Sequence, residues 1–382
     1  MPVILKSQSG GDERRTCAER LCAHPSAACL EKASKTLHIG LVNNMPDAAL
    51  EATKRQFLSL LSSASESFSI QLSLHSLPGV PRSQAVTTCE SQLYSSVENL
   101  WNSQLDGMIV TGREPITQNL ADEPYWESFT KLVQWAQGNT YSTIWSCLAA
   151  HAAVLYVDGI SRVRNGHKHS GVFDCERLAE HPLVAEGPSQ FKLPHSRWNG
   201  LKEHELKTCG YQVLTRTADA GVDTFVKDGK SMFVFFQGHP EYEANALLLE
   251  YRRDIGRYVR GETNTYPIIP WNYFDRKTTA ALAAVEHRAK IGPCAEIVAE
   301  ASRILETAEI QDIWHSTAVG IYRNWLEIIS ARKKLHLQKD TPVAEARGTD
   351  EVPALAAAEA QAGIYAGPST TLTASRNVLT IL

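Results

Sequence analysis

Apolar positions along the middle of this chain repeat in two alternating rhythms. Residues 37–42 (Leu-His-Ile-Gly-Leu-Val) form a short apolar run that predicts a strand. Over residues 47–63, Ala49, Leu50, Thr53, Phe57, Leu60 and Leu61 return at helical spacing. Residues 68–74 alternate as a strand, and 106–111 make a third. Residues 122–137 predict a helix with an acidic first turn. Residues 142–145 predict a strand ending just before Cys147, and 148–156 the helix after it. Beyond about residue 205 the rhythm changes. Residues 211–215, 224–227 and 232–236 are β runs, the last two joined by Asp228-Gly229-Lys230, a hairpin signal. Helices are then predicted over 243–260 and 314–333. Strands alternating with helices point to the α/β class, a mostly parallel sheet covered on both faces.

The two ends lack this order. Residues 1–35 read as a weakly ordered leader, and 335–382, rich in Ala, Thr and Pro, as a flexible tail. Residues 36–334 then form one domain. Hydrophobic residues are 43% of the 382 and charged ones 21%, an ordinary globular balance. A formal charge of -4 without a long basic run argues against a nucleic-acid partner. No apolar stretch reaches the roughly 18 residues of a membrane span. The polar start lacks a signal-peptide core, so the expected location is the cytoplasm. Eight cysteines in so long a chain imply no disulfide framework. Cys17, Cys22, His24 and Cys29 gather near the start, but their spacing matches no common zinc pattern, and no metal is expected.

Chemistry concentrates at two turns. Cys147 stands between a β run and a small-residue helical run, where a helix N-terminus favours a thiolate and Leu148 N–H can face an oxyanion. Most lone cysteines are core residues. This one shares the chain with Gly238-His239-Pro240-Glu241-Tyr242, also at the end of an apolar run. In extended backbone His239 and Glu241 face the same side, so the carboxylate can hold one ring nitrogen and leave the other as base. His151, one turn after Cys147, reads as packing beneath the thiol. Glu250, Arg252 and Arg253 share the helix over 243–260, and an arginine fork there suits a carboxylate. Lys168 and Ser196 read as polar loop residues.

Together these segments resemble the homoserine O-acyltransferase family of the homoserine O-succinyltransferase type, across residues 37–326. The stretches that carry it are Asn44-Met45-Pro46, residues 56–61, Asp106-Gly107-Met108-Ile109-Val110-Thr111-Gly112, Tyr125-Trp126, Cys147, residues 168–172, Pro194-His195-Ser196-Arg197, and 238–242. Asn272-Tyr273-Phe274 and Asn324-Trp325-Leu326 complete the set. The resemblance implies a doubly wound, class I glutamine amidotransferase-like fold. It implies Cys147 as the residue acylated through a thioester, His239 as general base, and Glu241 as its orienting partner. Lys168, Ser196 and Arg253 fall at its substrate-binding positions, and the family is typically homodimeric. Acyl-CoA would be a co-substrate, with no bound cofactor, and L-homoserine the acceptor.

The chain also departs from the family. Asp47, Ala48 and Ala49 stand where lysines usually follow Met-Pro, and His151 replaces a glutamine. The loop that chooses the acyl group places Ile116 or Thr117 where a glycine admits succinyl and a glutamate fills the space, so succinyl and acetyl donors both stay open. Alternative readings are transfer to serine or a related hydroxy amino acid, a glutaminase, and a non-catalytic binding homologue.

Overall fold

The computed structural model describes residues 3–5, 27–84, 94–95, 97–185 and 187–339. Cys17, Cys22, His24 and the chain beyond residue 339 lie outside these. In chain order the strands are β1 (Ile4–Leu5), β2 (Thr36–Val42), β3 (Ser69–His75), β4 (Gly107–Thr111), β5 (Ser142–Ser146), β6 (Val163–Arg177) and β7 (Gln190–Gly200). They continue as β8 (Gln212–Val213), β9 (Thr215–Thr217), β10 (Gly221–Val222), β11 (Thr224–Lys227) and β12 (Met232–Phe236).

The main sheet runs β1-β3-β2-β4-β5-β12-β11-β8. Its members from β1 to β12 are parallel, and β11 and β8 close the edge antiparallel. Every residue of β4, β5 and β12 is buried, as expected of strands covered on both faces. Alternation then assigns the faces. Val110, Trp145, Phe233 and Phe235 pack with the helices Trp126–Asn139 and Leu148–Asp158. Ile109, Ile144, Val234 and Phe236 pack with Asp47–Ala64 and His315–Lys339. The strand order reverses between β2 and β4. Ligands of open α/β sheets bind at such a switch point, beyond the C-terminal strand ends. Here those ends lead into Asn43, Asn44 and Met45, and into Gly112.

A second, antiparallel sheet, β10-β9-β6-β7, stands apart from the first. The helices Ala246–Val259, Arg276–Ile291 and Ala295–Glu306 share their own apolar cluster, with Ile255, Leu282 and Leu305 at its centre. No described helix is long and apolar enough to cross a membrane.

Several expected boundaries shift. Lys168 and Ser196 lie on β6 and β7, not in loops; the polar residues of these strands hid the alternation. The run over 211–215 divides between the sheets. β8 pairs with β11 and β9 with β6, with Leu214 bonded both ways at the crossing. The helix expected from 122 starts at Trp126, because Pro124 holds Glu123 extended (ψ 138°) after a 3-10 turn over Leu120–Asp122. The helix expected over 243–260 starts at Ala246, and the last helix reaches Lys339, past the tail boundary drawn at 335. Ile4–Leu5 pairs with β3 and Ala27–Ser34 is helical within the leader segment.

Trp325 ties the last helix to the sheet. It is fully buried, and its Nε1 donates to Ser142 Oγ at 2.9 Å, which in turn donates to Met232 O at 2.8 Å. Trp325→Ala is expected to cost about 3–5 kcal/mol through the cavity it opens. The check is a lower urea midpoint with unchanged slope.

Candidate active site

The nucleophile corner is built by β5. Its last residue, Ser146, delivers the chain to Cys147, which caps the helix Leu148–Asp158 with φ 52° and ψ -111°. That backbone is rare for a side-chain-bearing residue and costs on the order of 1–3 kcal/mol. It is held by the Cys147 N–H donating to Phe236 O at 2.8 Å. The helix directs its positive end at the thiol, and Leu148 N–H belongs to a first turn whose donors lack intrahelical partners. Gly112 closes over this turn. A Cβ there would lie 2.5 Å from Leu148 Cβ and 2.6 Å from Ala149 N, so only glycine permits the approach.

The histidine loop follows β12 and is pinned from beneath. Gln237 N–H donates to Asp223 O (3.0 Å), Gly238 N–H to Asp223 Oδ1 (3.2 Å), and His239 N–H to Pro194 O (2.8 Å). Asp223 is fully buried and also accepts from Thr215 and Thr224 hydroxyls at 2.8 and 2.7 Å. Burial raises its pKa above the ordinary value despite these donors. A Cβ on Gly238 would come within 2.7 Å of Asp223 Oδ1.

His239 Nδ1 lies 2.8 Å from Glu241 Oε1, and the ring stacks on Tyr242 with centroids 4.2 Å apart. Ser146 Oγ donates to the same Glu241 oxygen at 3.3 Å. Burial alone would lower the His239 pKa. The negative charges of Cys147 and Glu241, and hydrogen bonds with both, overcome it and hold the ring well above its usual value. Cys147, His239 and Glu241 thus lie together at this corner. They line a pocket of about 30 Å³ with Met45, Gly112 and Ser146.

The expected substrate-binding residues gather on a neighbouring hub. Glu250 accepts from Ser196 Oγ and from Tyr242 Oη (2.6 Å), and lies 3.5 Å from Lys168 Nζ. Lys168 also pairs with Asp254 at 2.9 Å. Burial would raise the Glu250 pKa, but the Lys168 and Arg253 charges and the two hydroxyls hold it below the usual value. Arg253 is half-exposed and paired with Asp254 at 2.8 Å. Tyr242 connects the hub to His239. Neither Tyr242 nor the central place of Glu250 was singled out from sequence. The available signal was the spacing of Glu250 and Asp254, four apart on one helix face.

Ile116 and Thr117 both donate backbone N–H to Glu123 Oε1, at 2.9 and 2.7 Å. The Ile116 side chain is 58% exposed, whereas Thr117 lines a second cleft of about 930 Å³. His151 borders that cleft and is bonded to Gln237 Oε1 at 2.9 Å, beside the corner rather than across from the thiol. Cys175, His195 and Asp223 form a buried trio with potential ligand atoms within 4.8 Å of one another. The Asp223 oxygens are already engaged by Gly238, Thr215 and Thr224, which suits a structural role.

Comparison with known proteins adds family context to this geometry. The sequence profile of the family "HTS: Homoserine O-succinyltransferase" matches residues 14–334. The chain is 46% identical over 294 residues to a homoserine O-succinyltransferase of Rhodopseudomonas palustris, covering 77% of this chain and 88% of that protein. It is 41% identical over 305 residues to one of Methylorubrum extorquens, covering 80% and 91%. Among solved structures, a glutamine amidotransferase from Methylobacillus flagellatus aligns at TM-score 0.43 and 14% identity, over 77% of this chain and 95% of that one.

Three histidines of lowered pKa, His151, His169 and His195, set a pH dependence. Burial lowers the pKa of His151 to about 3, that of His169 to about 4, and that of His195 well below its usual value. Below about pH 6.5 the unfolded chain protonates these rings while the folded one does not. Their contribution is therefore full above that pH and is lost as pH falls toward 3. The thermal midpoint should drop across this window, and His151→Gln should flatten the drop.

Proposed function

The chain belongs to the homoserine O-succinyltransferase family, and on that premise we propose that it transfers a succinyl group from succinyl-CoA to the hydroxyl of L-homoserine through a Cys147 thioester. The observation that carries this reading is the corner itself. A strained cysteine at a helix N-terminus meets a histidine clamped at 2.8 Å by a buried glutamate. The imidazolium beside Cys147 stabilises the thiolate, which attacks the thioester carbonyl. The carbonyl oxygen becomes an oxyanion facing the Leu148 N–H at the start of the helix. Collapse breaks the carbon–sulfur bond to CoA, and the departing sulfur takes the proton of His239. His239, now neutral, removes the proton of the homoserine hydroxyl as that oxygen attacks the acyl-enzyme. The Cys147 thiolate leaves, and the ester product is released.

Glu241 keeps the ring in the orientation this exchange requires. Lys168, Ser196 and Arg253, organised on Glu250 and Asp254, bind the amino acid. The Arg253 guanidinium, half-exposed, takes its carboxylate and Glu250 its ammonium. Ile116 and Thr117 form the loop beside the acyl group. The reaction calls for no metal or bound redox group, and we place the enzyme in the cytoplasm as a homodimer.

A thiol-release assay crossing succinyl-CoA and acetyl-CoA with homoserine and serine tests this. Release is expected with succinyl-CoA and homoserine. The opposite donor preference would reassign the acyl group, and silence with every pair from folded protein would defeat the reading. Cys147→Ala should abolish turnover, and intact-mass measurement without acceptor should find one succinyl group on the wild-type protein and none on the variant. His239→Gln should lower kcat by about 10²–10⁴ while leaving the fold intact by circular dichroism.

A further inference from the structure

A second cleft, much larger than the pocket that holds Cys147, lies along the same helix. It measures about 930 Å³, near the top of the roughly 300–1,000 Å³ typical of ligand sites. One wall is the helix that Cys147 caps, contributing His151 and Leu155. Leu155 is eight residues from the thiol, about 12 Å along the helix axis. The cleft therefore borders the nucleophile's helix one and two turns beyond the thiol.

Its character differs from part to part. Leu155 offers an apolar surface, whereas Arg162, Arg164 and Trp198 on and around β6 and β7 make another part cationic and aromatic. Arg162 Nη1 is buried and has no hydrogen-bond partner among the described residues. Its Nη2 donates to Gln118 O at 3.3 Å, which holds the guanidinium charge at the cleft wall. The Arg164 guanidinium lies over the Trp198 ring, 4.6 Å from its centroid, and the indole is 38% exposed. Asp122 and Glu114 also line the cleft, but Glu114 is held by Arg257 at 3.1 Å. Burial lowers the Arg162 pKa, and the neighbouring Glu123 charge opposes that shift.

We propose that this cleft seats the nucleotide and pantetheine arm of the acyl-CoA donor, with Arg162 and Arg164 against its phosphates and the Trp198 indole against its adenine. The inference rests on the acyl-CoA reading above and adds where the carrier lies. A thioester donor is a long thin arm ending in a polyanion with a purine. A cleft that combines an apolar side chain on the nucleophile's own helix with two arginines and an indole offers each part of such a donor a matching surface. Purines stack on exposed aromatic faces, and phosphates take arginine forks.

The test uses the full chain with Arg164→Ala, Arg164→Lys and Trp198→Ala, surface changes whose folding is checked by thermal melts. CoA alone is titrated by calorimetry, and turnover is compared with succinyl-CoA and with succinyl-pantetheine, which lacks the nucleotide. Arg164→Ala and Trp198→Ala should weaken CoA binding and raise the succinyl-CoA KM by about tenfold. They should leave kcat, the homoserine KM and all constants for succinyl-pantetheine unchanged, with Arg164→Lys recovering part of the loss. Unchanged CoA affinity in both alanine variants, or equal losses on the truncated donor, would overturn the assignment. Wild-type protein that binds CoA through these residues yet transfers nothing would sink the transferase reading and leave the cleft assignment standing.

Discussion

The site depends on two strands ending side by side. β5 and β12 pair in parallel with Ser146 opposite Phe236, and the next residue of each begins a functional turn. One hydrogen bond, from Cys147 N–H to Phe236 O, crosses between them at the last rung. It fixes where the nucleophile leaves the sheet relative to where the histidine loop leaves it. Slipping this pair by one residue would turn every side chain on β12 to the opposite face and separate the two turns. The tight cores on both faces, with Trp145 and Phe236 fully buried, make that slip prohibitive.

Beneath this frame lies an unusual amount of buried polarity. Asp223 receives two hydroxyls and a backbone N–H under the histidine loop. Arg197, buried beside it, donates to Asn199 O at 2.7 Å and to Ala220 O. Glu250 gathers a lysine, a serine and a tyrosine. Groups like these are poor stabilisers, because desolvation offsets most of the attraction. What they provide is direction. Each leaves few alternative partners to the groups it holds, so the loop over Gly238 and the ring of Tyr242 have one satisfied arrangement. The second sheet supplies much of this scaffolding, through Thr215 on β9 and Pro194 on β7, which bond directly to Asp223 and His239.

The main sheet was legible because its strands are what parallel strands must be: short, apolar runs between helical periods. The hairpin at Asp228-Gly229-Lys230 was equally plain. The corner at Cys147 and the pairing of His239 with Glu241 followed from spacing alone. β6 and β7 were not legible. Their buried members include Ser170, His195 and Arg197, and the groups that His195 and Arg197 meet, Asp223 and Ala220 O, are distant in sequence and invisible to a local pattern. A register shift between Arg164 and His169 further broke the alternation. The resemblance pointed to Lys168, Ser196 and Arg253 as separate positions. Only the packing of β6 and β7 against the helix Ala246–Val259 reveals Glu250 as the group that Lys168 and Ser196 share, and Asp254 as the one that Lys168 and Arg253 share.

The backbone of Cys147 carries an implication for how such a protein can decay. Its left-handed conformation is one that glycine occupies freely, so the fold would be better off without a side chain there. The residue that does the chemistry is also one the scaffold would gain by losing. Catalysis and stability pull in opposite directions at a single position, and a lineage released from the need for the product would find inactivation downhill.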